Sequence, residues 1–204
     1  MERIYYVTDS ILRLVYINLL AILFSLAGLI IFGFFPSLVA TCHLMRKWHM
    51  GESDLPVTKT FIKIYRRSFL KSNLIGLAYV LIGGLLYINL SIAEIVPNEF
   101  VQLSYYPIFT VLIVFLSCSL LAIPISLHYQ VTFYSLIKHS FLLLFVRPLL
   151  TLMLLGSVAG YVLLLKLIPG LFLFIGISLF AWLILYYSLK IFHKVPLNIE
   201  AESL

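Results

Sequence analysis

The length of the stretches without charge constrains this chain more than any other feature. Reading from one Asp, Glu, Lys or Arg to the next gives uncharged apolar runs at 14–45, 72–93, 100–137, 148–165 and 167–189. A helix needs about 20 apolar residues to cross about 30 Å of hydrocarbon, so these runs predict about five transmembrane spans. Backbone N–H and C=O groups must be satisfied within the protein in lipid, and the runs lack the alternating polar residues of a barrel strand. Helices are therefore expected. The fold class is an all-α integral membrane protein, one polytopic domain over 1–204.

Composition excludes a water-soluble alternative. The chain is 63% hydrophobic and 11% charged, against roughly 45–50% and about 25% in soluble domains. Its 14 basic and 8 acidic residues are too few to clothe a globule, so lipid is the expected partner. The net charge of +6 does not indicate nucleic acid. The bases cluster beside apolar runs, where topology and anionic head groups explain them, and no recognition motif accompanies them.

The first run is too long for one straight span and short for two. Gly28, Gly33 and Pro36 are its candidate breakers, and a kink is expected near Phe32–Pro36 because proline removes a helical hydrogen bond. In the third run Pro124 takes the same part, trimming that span to about 105–127. Seven bases fall from Arg46 to Lys71, which assigns that loop to the cytoplasm. Five crossings then predict the N-terminus outside a bacterial cytoplasmic membrane and the C-terminus in the cytoplasm.

Two amphipathic interfacial helices are expected on the cytoplasmic side. In the first, Val57, Phe61, Ile64, Tyr65 and Phe69 recur at helical spacing among Lys59, Lys63, Arg66 and Arg67; apolar rings enter the head groups while bases meet anionic lipid. Sliding the chain by 72 residues aligns Phe61 with Phe133 and Arg66–Phe69 with Lys138–Phe141. This suggests a parallel internal repeat with units 14–95 and 104–166, followed by a final helix 167–190.

No enzyme signature survives inspection, and no cofactor or metal site is expected. No Asp or Glu lies within a span, and the five histidines show no metal-ligand spacing. Cys42 and Cys118 lie inside apolar runs and read as small buried residues. Gly83-Gly84 and the Gly156/Gly160 pair read as sites of close helix packing. Asn18, His43, Asn89 and His128 are candidates for a polar pathway between the repeat units, which a homo-oligomer would enlarge.

The text Phe35-Pro36, Arg46-Lys47-Trp48-His49-Met50-Gly51-Glu52, Pro56, Thr60-Phe61 and Phe69-Leu70-Lys71-Ser72-Asn73-Leu74-Ile75-Gly76 resembles the YesL family of small bacterial membrane proteins. His128-Tyr129, the Pro148 region and Pro169-Gly170 extend the resemblance over nearly the whole chain. The family offers no agreed catalytic residues. The resemblance implies an accessory role beside carbohydrate ABC importers, with ABC permease subunits as partners. Arg46, Lys47, Trp48, Gly51, Glu52, Phe61, Arg66, Arg67, Lys71 and Asn73 are the candidate contact residues.

Overall fold

The structure is a computed structural model, and it describes residues 2–52, 55–128 and 133–192. Every regular element among them is helical: α1 (Glu2–Ala27), α2 (Ile31–His49), α3 (Val57–Ile95), α4 (Glu99–Leu103), α5 (Tyr105–His128), α6 (Phe133–Val146), α7 (Pro148–Leu167), a π-helical turn (Phe172–Gly176) and α8 (Ile177–Phe192). Five stretches are long and apolar enough to cross a membrane: Ser10–Ala27, Val57–Ile95, Glu99–Leu127, Pro148–Leu167 and Phe172–Ile191. The chain is a multi-pass membrane protein of the expected class.

The first run departs from expectation. It does not kink near Pro36 but reverses at Gly28–Ile30, so that α2 packs back along α1. The reversal needs left-handed backbone at Leu29 (φ 57°) and Ile30 (φ 64°), an unfavourable state for a β-branched residue. The amides of Leu29 and Ile30 hold it by donating to the carbonyls of Leu26 and Ser25. Gly28 and Gly33 permit the close crossing, because a Cβ on either would lie under 3 Å from backbone of the other strand of the hairpin. Pro36 is accommodated within α2.

The hairpin changes where the N-terminal helix starts. The Arg13 guanidinium lies 5.6 Å from the centre of the Trp48 ring, and the Tyr16 hydroxyl meets Thr58 Oγ1 at 2.6 Å. The middle of α1 therefore meets the end of α2 and the start of α3, and the N-terminal half of α1 runs toward that end of the molecule, whereas the single kinked span expected from sequence placed it at the opposite end from the Arg46–Lys71 loop.

The expected first interfacial helix is not a separate element either. It is the opening of α3, whose 39 residues extend about 58 Å at about 1.5 Å per residue. No glycine or proline interrupts the chain between Val57 and Ile75, so the helix continues. The junction 72 residues further on does break, between α6 and α7. Pro148 lacks an N–H and disfavours helix at the residue before it, and Arg147 leaves the helical region at φ −137°, ψ 64°.

Two buried clusters hold the bundle. One joins Ile17, Ala21, Leu44, Met45 and Phe61 to Ile177 and Leu185 of α8; the other joins Leu121 and Ile125 of α5, Leu143 of α6 and Leu154 of α7 to Ile184 and Ile191. Phe180 packs against both, making α8 the shared wall. Cys42 and Cys118 are buried and free, as expected. Around the clusters, large apolar side chains such as Leu23, Leu85, Leu149 and Leu163 are exposed, as lipid-facing residues of a membrane protein must be.

Candidate functional site

A cavity of about 1270 Å³ runs between α2, α3 and α5, with Leu136 of α6 and Phe180 and Ile184 of α8 closing its back. Because α3 is unbroken, one face of it lines the cavity for much of its length. The residues on that face change character along the axis. Thr60, Lys63, Arg67, Ser68, Lys71 and Ser72 come first, with Ile64 among them; Ile75, Gly76, Tyr79, Val80, Gly83, Gly84 and Tyr87 follow. From the other side α2 contributes His43 and Lys47 near the basic end and Phe34, Phe35 and Leu38 further in.

The basic end is built by local rules. α2 stops in a Schellman turn: the Gly51 amide donates to the Trp48 carbonyl at 3.0 Å and the Glu52 amide to the Lys47 carbonyl at 3.1 Å. Gly51 takes φ +88°, which glycine adopts without a Cβ clash. The turn brings Glu52 back over its own helix, where its carboxylate pairs with Lys47 Nζ at 2.9 Å. Lys63, Arg67 and Lys71 have no carboxylate within ion-pair distance among the described residues. Their four-residue spacing on one helix sets them along a single stripe.

The candidate contact residues do not form one surface. Arg66, Arg67 and Lys71 are exposed on α3, with the latter two turned to the cavity and Arg66 outside its lining. Arg46 reaches across to donate through Nη1 to the Leu127 carbonyl at the end of α5. Trp48 lies under Arg13, and Gly51 shapes the turn. Phe61 is wholly buried against the Phe24 ring at 5.3 Å, so it is a core residue and presents nothing to a partner. The reason is the α1–α2 hairpin, which covers the apolar face of the opening turns of α3. Asn73 donates from Nδ2 to the Phe32 carbonyl at 2.8 Å and to the Phe69 carbonyl at 2.9 Å.

The polar-pathway candidates are dispersed as well. His43 lines the cavity. Asn18 is buried against the π turn, donating to the Phe172 and Leu173 carbonyls at 3.1 and 2.7 Å and accepting from the Ser178 amide at 3.2 Å. Asn89 is exposed and donates to Leu85 of its own helix. The side chain of His128 lies outside the described residues. Among the described residues no three or more His, Cys, Asp and Glu side chains gather as a metal site would require. Gly84, Gly156 and Gly160 have open space where a Cβ would point, so close packing at these glycines does not occur among the described residues.

Lys63 escaped the sequence-based site set although its signal was present. Lys59, Lys63, Arg67 and Lys71 recur every four residues; reading α3 as one continuous helix exposes the stripe.

The chain is 34% identical over 196 residues to the uncharacterized protein YteU of Bacillus subtilis (strain 168), covering 96% of this chain and 86% of that one. It is 31% identical over 198 residues to YesL of the same organism, covering 95% and 91%. The chain belongs to the YesL-type family. A third YesL-type relative, YesV of Bacillus subtilis (strain 168), is 33% identical over 206 residues, covering 95% and 93%. The family model described as a protein of unknown function, DUF624, matches residues 14–90. That match takes in the hairpin and nearly all of the α3 wall of the cavity. No solved structure matches this YesL-type chain.

Proposed function

We propose that this YesL-type chain is a non-enzymatic component of the bacterial cytoplasmic membrane that assists carbohydrate uptake by an ABC importer. It would contact a permease subunit through its basic end. The observation that carries the reading is the meeting of Arg13 with Trp48 and of Tyr16 with Thr58: the middle of α1, the end of α2 and the start of α3 are tied together at one end, where Arg66 is exposed. The carbohydrate link rests on the family resemblance alone. The excess of Lys and Arg at this end supports a cytoplasmic orientation. Because α2 runs back along α1, it makes a returning crossing beside the five apolar spans, and the N-terminus belongs in the cytoplasm in this reading, where sequence alone had put it outside. α8 also finishes there, since Tyr186 and Lys190 share a cavity with His49 and Arg147.

The test is native-level expression of a tagged chain, mild detergent extraction and mass spectrometry of what stays bound. Recovery of permease subunits or a solute-binding protein, lost on Arg66→Glu, supports the accessory role; recovery of the chain alone defeats it.

A second reading, a self-contained transporter or channel, draws on the cavity between α2, α3 and α5. Its pathway would use His43 but not Asn18 or Asn89, which lie elsewhere. Flux through the purified protein in liposomes separates this reading from the first.

A further inference from the structure

We propose that the cavity between α2, α3 and α5 is a binding site for one anionic phospholipid drawn from the surrounding bilayer. Its phosphate would lie against Lys63, Arg67 and Lys71 and one acyl chain along the apolar half of α3. This goes beyond the accessory role and stands whether or not a permease docks at the same end.

Three observations meet in the site. First, Lys63, Arg67 and Lys71 line the cavity with no carboxylate partner among the described residues, while Lys47, which faces the cavity from α2, is already paired with Glu52. A concave wall of unpaired cations calls for an anion. Secondly, beyond Ser72 the α3 wall is aliphatic and aromatic as far as Tyr87, its only side-chain polar atoms being the hydroxyls of Tyr79 and Tyr87, about 22 Å at about 1.5 Å per residue. That exceeds the roughly 15 Å thickness of one leaflet's hydrocarbon, so an acyl chain has a continuous apolar track. A free phosphate or a nucleotide has no use for such a track. Thirdly, the apolar half is not sealed. Val80, Tyr87 and Leu116 are more than 40% exposed, and Gly84 places no side chain in the groove and has nothing within 4 Å of a Cβ direction. A lipid can enter sideways from the membrane, with its head group at the level where the bases begin.

Native mass spectrometry of the full-length protein in detergent tests the site, using phosphatidylglycerol and phosphatidylcholine with identical acyl chains as probes. Phosphatidylglycerol is expected to bind at least about tenfold tighter. The variant Lys63→Ala/Arg67→Ala/Lys71→Ala should bring it down to the phosphatidylcholine level. The variant Lys59→Ala/Lys138→Ala/Lys190→Ala removes as much charge outside the cavity lining and should keep the preference. Gly84→Leu fills the groove without touching a cation and should weaken phosphatidylglycerol by about tenfold. Equal binding of the two lipids overturns the proposal. So does equal loss in the two charge variants, which would mean a diffuse interfacial attraction. Displacement by inorganic phosphate as effective as by unlabelled phosphatidylglycerol overturns it too, because the acyl track would then be idle. Should the cavity triple variant fail to fold, Gly84→Leu and the outer charge variant decide the question alone. Partner capture plays no part in this assay, so it can fail or succeed independently of the accessory role.

Discussion

The side chain of Asn73 stands in for the amide that Pro36 lacks. In an α-helix the N–H of residue 36 would bond the carbonyl of residue 32; proline has none, and Asn73 Nδ2 instead donates to the Phe32 carbonyl at 2.8 Å. The bond ties α3 to the first turn of α2 and lets a proline sit inside that helix. Asn73→Ala is expected to cost about 1 kcal/mol, read as a lower midpoint for thermal unfolding in detergent. In a Pro36→Ala background the helix supplies its own donor, so the same substitution should cost measurably less. Equal costs in both backgrounds would refute the substitution of one donor for the other.

Asn18 and Asn89 provide a sharper contrast, because sequence reading gave them the same role. Asn18 spans the π turn with three hydrogen bonds, and the Tyr161 hydroxyl adds a fourth to the Gly176 carbonyl at 2.9 Å. Asn18→Ala should destabilise by about 1–3 kcal/mol, as stranding buried polar groups does. Asn89→Ala should change stability by under about 0.5 kcal/mol, as at an exposed site. Thermal melts of the two variants check this directly.

Gly51→Ala should lower stability by about 1 kcal/mol, because a Cβ at φ +88° disfavours the Schellman turn. Glu52→Gln removes an ion pair whose side chains are 30% and 47% exposed, and such surface pairs contribute about 0–1 kcal/mol. A larger effect for Glu52 than for Gly51 would show that the turn is not what holds this end together.

At the hairpin tip, Gly33→Ala should destabilise by about 1–3 kcal/mol through overpacking, since its Cβ would meet the backbone of Phe24 and Ser25. Gly156→Ala, in open space on α7, should be neutral or stabilising by about 0.5–1 kcal/mol, the ordinary preference of a helix for alanine over glycine. Unfolding midpoints compared side by side decide between them.

The return of α2 along α1 predicts topology. A cysteine introduced before α1 should react with a membrane-impermeant maleimide in inside-out vesicles and not in intact cells. Cys42 and Cys118 are buried and should contribute little background. Labelling from the outside would restore the single kinked span.

The sequence by itself determined that this is an all-α multi-pass membrane protein with about five apolar spans and a basic end. Run length between charges is set against a bilayer of fixed thickness, and that comparison needs no tertiary information. It also determined the break between α6 and α7, which Arg147-Pro148 announces locally. Only the tertiary structure decided that the run 14–45 doubles back at Leu29 and Ile30. Neither residue carries a turn signal, and their left-handed backbone is tolerated because α2 gains its packing against α1, α3 and α8. That one reversal buried Phe61, turned the N-terminal half of α1 toward the basic end and paired Asn73 with the carbonyl freed by Pro36. It also decided the cavity. The stripe of Lys63, Arg67 and Lys71 can be read in the sequence, but whether it faces open lipid or a groove depends on where α2 and α5 stand beside it, and contacts between residues far apart in the chain set that.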